Sequence, residues 1–377
     1  MRLFLHQQRF LNENPDKAIL GWEMGTGKTL AAVEWLRSRQ DNAIVVTEKR
    51  IKQKWKDALG DIKACVLTKE EFKKADIVGR PTAFVFDEAH NASAPLFTKG
   101  RSQIAERTYN LIKANPKMPV LLLTATIIRS NPANLHTLLC YIGVYIDWKV
   151  WRNEFYDLMR LPYLPRPAYM PKKDWRTLIR PYLRKYAHIA LMSDCVDLPP
   201  ITEEIVTLPS EFFNQKEWSG SSAFVAQHRF EQLGKGKKIL EIAEGYRKVV
   251  VVAHYREQIF ELEKELSKHR QTYVLHGGID DQEAVIKQAQ DDEECFFIIQ
   301  ASIGSGFDLD TFAVMIFASM SYSYVSFVQM KGRIMRIHAL KPVKYIYLQA
   351  GKCDRGIYKQ IQLGKDFDPK YFDYHAA

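Results

Sequence analysis

Leu20-Gly21-Trp22-Glu23-Met24-Gly25-Thr26-Gly27-Lys28-Thr29 is the stretch on which the reading of this 377-residue chain turns. It continues an apolar run, Ala18-Ile19-Leu20, and leads into a helix-like segment from Thr29 to about Arg37. Gly25 and Gly27, with Thr26 between them, let backbone amides approach a phosphate, and the helix behind them presents its N-terminus. Lys28 would reach the β- and γ-phosphates of a nucleotide, and Thr29 would offer a hydroxyl to Mg²⁺. Trp22 stands where such loops usually carry their first glycine.

Further along, the apolar run Ala83-Phe84-Val85-Phe86 ends in Asp87-Glu88-Ala89-His90. A carboxylate at a strand end can hold the magnesium shell, which suits Asp87, and Glu88 is then placed to orient or deprotonate the attacking water. Much later comes Gln329-x-x-Gly332-Arg333-x-x-Arg336. A helix would put the two arginines on one face, and arginine is what phosphoryl transfer uses to stabilise transition-state charge. In this order the three motifs describe a cleft that binds ATP and magnesium from one side and senses the γ-phosphate from the other.

The motifs fall among short, continuously apolar runs. Ile44-Val45-Val46-Thr47 and Val120-Leu121-Leu122-Leu123 belong to the first half, and Val249-Val250-Val251-Val252, Phe296-Phe297-Ile298-Ile299 and Val343-Lys344-Tyr345-Ile346-Tyr347 to the second. Runs without alternation suit parallel strands covered by helices on both faces. The expected fold is α/β, with two RecA-like doubly wound parallel-sheet lobes and the ATP cleft between them. The lobes are expected at 1–145 and 236–377, with a helical, basic insert and linker at 146–235.

Within that insert, the stretch from Arg160 to Lys185 holds Arg160, Arg166, Lys172, Lys173, Arg176, Arg180, Arg184 and Lys185 against Asp174 alone, with tyrosines and Trp175 interleaved. Such a mixture suits a phosphate backbone with stacking contacts, and equally a solvated helical face over buried aromatics. Lys172, Lys173, Arg176 and Arg180 are its candidate nucleic-acid residues. The formal charge of +10 points the same way. Five cysteines without a Cys-x-x-Cys pair or a His cluster argue against a zinc module or disulfide framework. No apolar run approaches membrane length and no signal-peptide pattern opens the chain, so a cytoplasmic location is expected.

These residues resemble the helicase superfamily-two core, and within it the SWI/SNF-type double-stranded DNA translocases, over nearly the whole chain. Leu3-x-x-His6-Gln7 is similar to the opening motif whose glutamine reads adenine, which implies that role for Gln7. Thr47 and Trp55 match the next strand and the tryptophan after it. Leu123-Thr124-Ala125-Thr126 resembles the coupling motif, so Thr124 and Thr126, with His90 and Gln329, would link the nucleic-acid track to the ATP site. Lys237-Lys238-Ile239-Leu240 and His276-Gly277-Gly278 fit the second lobe. The segment 302–309 is similar to the glycine-rich motif ending Gly-x-Asn-Leu, with Gly306 kept and Asp308 in place of asparagine.

The resemblance implies a nucleic-acid-stimulated ATPase using ATP and Mg²⁺, acting as a monomer on DNA with duplex favoured. A strand-separating DNA or RNA helicase is the alternative, although the sequence displays no pin or wedge element. A passive clamp that binds ATP without turnover is the third reading, opposed by intact Lys28, Glu88, Arg333 and Arg336.

Overall fold

The structure, a computed structural model, describes residues 3–39, 42–77, 79–96, 102–127, 131–160, 166–195, 199–209, 220–303, 306–335 and 341–364. The chain divides into two compact units, Met1–Asp197 and Leu198–Ala377. The first contains strands β1 (Lys17–Trp22), β2 (Ala43–Thr47), β3 (Ala64–Thr68), β4 (Phe84–Asp87) and β5 (Val120–Leu123). Strands β6 (Tyr156–Met159) and β7 (Ala168–Pro171) then form a separate antiparallel hairpin, and β8 (Ala187–Ala190) returns to the main sheet. That sheet is parallel throughout, in the order β3-β2-β4-β5-β1-β8.

Its central strands are apolar along their middles because both faces are covered. Ile19, Val46, Phe84, Phe86 and Leu122 enter one core cluster, while Leu20, Val45, Val85, Leu121 and Leu123 enter another on the opposite face. Gly21 is needed where the segment after β5 presses on β1, since a Cβ there would lie 2.0 Å from Ile127 Cδ1.

The second unit repeats the plan with β9 (Ile201–Thr207), β10 (Lys248–Ala253), β11 (Gln271–Leu275), β12 (Cys295–Gln300), β13 (Val314–Phe317) and β14 (Val343–Gln349). The order is β11-β12-β10-β13-β14-β9, again parallel throughout. Two such α/β lobes resemble the RecA-like pair of a helicase core. Within the two main sheets, β3, β8 and β9 were not announced by an apolar run. All three are sheet edges, and β9 in particular is mostly exposed, so their sequences carry less of the hydrophobic signal.

At the carboxyl ends of β10, β13 and β14 the second unit buries a polar network. The Lys235 ammonium donates to Asp354 Oδ2 (2.7 Å), the Ala318 carbonyl (2.6 Å) and Gln232 Oε1 (2.7 Å). His228 Nε2 lies 3.1 Å from Asp354 Oδ1, and its Nδ1 lies 2.8 Å from the Tyr255 hydroxyl. Burial would raise the Asp354 carboxyl, but the Lys235 charge and the His228 contact outweigh it and hold the group well below the usual carboxylate range. Glu231 accepts the Cys353 and Asp354 amides, fastening the start of the helix Lys352–Gln362. Among the described residues no helix is long and apolar enough to cross a membrane.

Candidate active site

The loop after β1 turns on two glycines with positive φ, Gly25 at 80° and Gly27 at 79°, and Gly27 caps the helix Lys28–Arg37. Only glycine adopts that region without strain. A side chain at Gly27 would also collide with Gln7, whose Nε2 lies 2.2 Å from the place a Cβ would take. Four contacts tie the loop to its surroundings. Gln7 Nε2 donates to the carbonyls of Thr26 (3.2 Å) and Gly27 (3.1 Å), His6 Nε2 lies 3.0 Å from the Thr26 carbonyl, and Glu23 Oε2 accepts the Met192 amide at 2.7 Å. Gln7 is therefore buried against the loop backbone, with its Oε1 accepting the Phe4 amide. Within the loop, Thr26 Oγ1 donates to the Glu23 carbonyl and Lys28 Nζ donates to the carbonyls of Trp22 (2.7 Å) and Glu23 (2.9 Å). Thr29 follows in the first helical turn.

Strand β5 lies between β1 and β4, and the register sets Leu20 and Asp87 level with Leu123. All three strands are parallel, so the phosphate-type loop, Asp87 and Thr124 emerge at one edge of the sheet. That is the edge where doubly wound sheets bind ligands. Asp87 is buried. Its Oδ2 accepts Trp55 Nε1 at 2.8 Å and Thr47 Oγ1 at 3.2 Å, and its Oδ1 accepts the Glu88 amide at 3.0 Å. Burial first and the Glu88 charge second push the Asp87 carboxyl up to about 6, against the pull of Trp55, Lys28 and Thr47.

Glu88 holds a left-handed backbone, φ 52° and ψ 50°, which costs a non-glycine residue roughly 1–3 kcal/mol and occurs chiefly at functional sites. Its Oε2 lies 3.1 Å from His90 Nδ1. The same nitrogen lies 3.2 Å from Thr124 Oγ1 and 3.4 Å from Thr126 Oγ1, and Thr124 Oγ1 accepts the Thr126 amide. The structure thus brings Asp87, Glu88, His90, Thr124 and Thr126 into one continuous set of contacts.

This donor set fits a magnesium nucleotide. Magnesium is commonly held by one or two carboxylates together with substrate phosphates, and among the described residues no cluster of three or more His, Cys, Asp or Glu could hold a metal on its own. Asp87 and the Thr29 hydroxyl are the residues that would hold the ion. Sequence reasoning knew Trp55 and Thr47 only as family marks. The signal available was a tryptophan on the buried face of the helix Lys52–Leu59, which follows the strand ending at Thr47.

The other candidates lie outside this set of contacts. In the second unit Gln329 is buried on the helix Tyr324–Lys331. Arg333 is 4% exposed, and its Nη1 donates to the Phe307 carbonyl at 2.8 Å while its own carbonyl accepts the Leu309 amide. Its guanidinium therefore braces the segment holding Gly306 (φ 96°) and Asp308, whose carbonyl also accepts Gln290 Nε2. Arg336 lies outside the described residues. In the first unit Lys173 and Arg180 are exposed, Lys172 Nζ donates to the Asn153 carbonyl, and Arg176 lies over the buried Trp175 ring.

Residues 234–338 match the helicase conserved C-terminal domain. No curated protein matches the chain. Among solved structures the chain is similar to the Sulfolobus solfataricus SWI2/SNF2 ATPase core in complex with dsDNA, at 13% identity and a TM-score of 0.42, over 96% of this chain and 91% of that one. So loose a likeness carries no argument about substrate.

Proposed function

We propose that this chain is a helicase-type motor core that couples ATP hydrolysis to movement along duplex DNA. The observation that supports this most is the convergence of the Gly25–Lys28 loop, Asp87, Glu88 and His90 at one sheet edge, in a chain whose 234–338 region matches a helicase domain. The SWI/SNF-type marks in the sequence favour duplex DNA as the track.

Bound ATP with Mg²⁺ supplies the phosphoanhydride and its counter-charge. Lys28 would exchange the Trp22 and Glu23 carbonyls for the β- and γ-phosphates. Thr29 and Asp87 would hold the ion, and Glu88 would take the proton of the attacking water. His90 touches Glu88 on one side and Thr124 and Thr126 on the other, so a change at the carboxylate reaches the segment after β5. Gln7 keeps the loop in shape, and its adenine-reading role would require it to exchange its two loop carbonyls. Arg333 supports the 306–309 segment, and Arg336 is assigned to the transition-state charge. Lys172, Lys173, Arg176 and Arg180 are assigned to backbone phosphates of the track.

The test is the ATPase rate with no nucleic acid, single-stranded DNA, duplex DNA or RNA. Duplex DNA should stimulate most. Equal rates under all four conditions would favour a passive clamp, and preference for RNA would move the track.

Trp55→Phe gives a sharper local prediction. It keeps a buried ring and removes one donor from Asp87. A hydrogen bond to a charged group contributes about 1.5 kcal/mol at the low end, so the apparent affinity for Mg²⁺ should fall about tenfold. Metal titration of bound, non-hydrolysed nucleotide reads this directly. An unaltered titration would mean that Trp55 only packs.

A further inference from the structure

We propose that the face of the β6–β7 ribbon that carries Leu158 and Tyr169 is a contact surface for unpaired nucleic-acid bases. The inference deepens the motor reading above and rests on it for the identity of the polymer.

The hairpin is anchored at its root. Phe155 and Tyr156 are buried, the Ala133 amide donates to the Tyr156 hydroxyl at 3.2 Å, and that hydroxyl donates to Asn131 Oδ1. The Lys172 amide closes the base by donating to the Phe155 carbonyl at 2.9 Å. Beyond the root the character changes. Leu158 is 59% exposed and Tyr169 43%, and the antiparallel register sets them directly opposite, so they share one face of the ribbon. Met159, 47% exposed, stands on the other face. Arg152 lies 4.1 Å from the centre of the Tyr169 ring and braces it.

A two-stranded ribbon is marginal on its own, and a cross-strand pair adds only about 0.2–1 kcal/mol, so half-exposed large apolar side chains leave apolar surface open to a partner. The charge around them selects the occupant. Arg160, Arg166, Lys172 and Lys173 belong to the hairpin and its exit, and only Asp157 and Asp174 oppose them. Aromatic and apolar side chains within a basic surround match bases that stack, with phosphates that follow the cations. A paired duplex hides its base faces. The surface is therefore usable only where strands are apart, at a fork or a duplex–single-strand junction, and it gives a translocase a way to meet the junction it arrives at. The apolar pair would then act as a wedge at the first open step.

Forked DNA with 2-aminopurine in its single-stranded arm, compared with blunt duplex, tests this without ATP. The protein should bind the fork more tightly and change the 2-aminopurine emission. Leu158→Ser with Tyr169→Ser, both at exposed positions, should lose that preference by about tenfold, the scale of one stacked base, and leave blunt-duplex affinity unchanged. Tyr169→Phe should retain it. Equal fork preference in the double variant and the parent, or no fork preference in the parent, would overturn the proposal. ATPase stimulation is a separate reading. Its absence with every nucleic acid would sink the motor assignment whatever the fork result.

Discussion

Glu88→Gln is expected to lower ATP turnover by roughly 10²–10⁴-fold, the usual contribution of a positioned general base, while nucleotide still binds. The substitution removes the carboxylate that faces His90 at 3.1 Å but leaves Asp87, with its three donors, in place for the metal. The backbone conformation at position 88 is equally strained for Glu and Gln, so fold stability should hardly change. Steady-state hydrolysis and equilibrium binding of a fluorescent nucleotide, measured on the same preparation, separate the two effects. Lys28→Ala should instead weaken both. A normal rate in Glu88→Gln would place water activation on another group.

Asp354→Ala should destabilise the second unit by about 3–5 kcal/mol, because it leaves the buried Lys235 ammonium without its counter-charge. For a unit of this size that corresponds to a fall in Tm of roughly 10 °C. The double variant Lys235→Met with Asp354→Leu should recover much of the loss, since removing both members of a buried pair is often close to neutral. Thermal melts of the single and double variants decide it, and a single variant as stable as the parent would mean that the pair contributes little. The pH dependence has a definite sign. The folded pKa of Asp354 lies below its ordinary 3.8, so its contribution is fully present above about pH 4 and is lost as pH falls through the lower folded value. Asp354→Asn should therefore flatten the acid limb of stability below about pH 4.

The sequence already displayed much of this molecule. The central strands were legible as unbroken apolar runs because helices cover both faces, and the motif order placed the loop, Asp87, Glu88 and His90 at strand ends. Those features are local, set by residues within a few positions of one another. Lys237 and Lys238 drew attention as family marks, whereas Lys235 beside them forms the buried ion pair, with a partner 119 residues away. Arg333 Nη1 likewise meets the Phe307 carbonyl, 26 residues back along the chain.

The sequence by itself determined the α/β architecture of both units and the place of the glycine-turned loop after β1, since periodicity and spacing encode burial and strand ends directly. The tertiary structure alone decided which strands form the sheet edges, that Trp55 and Thr47 steady Asp87, and that β6 and β7 pair so that exposed Leu158 and Tyr169 stand opposite each other. The reason is common to all three: each depends on a pairing between distant segments, and a side chain's neighbours across such a pairing leave no periodic trace in its own stretch of chain.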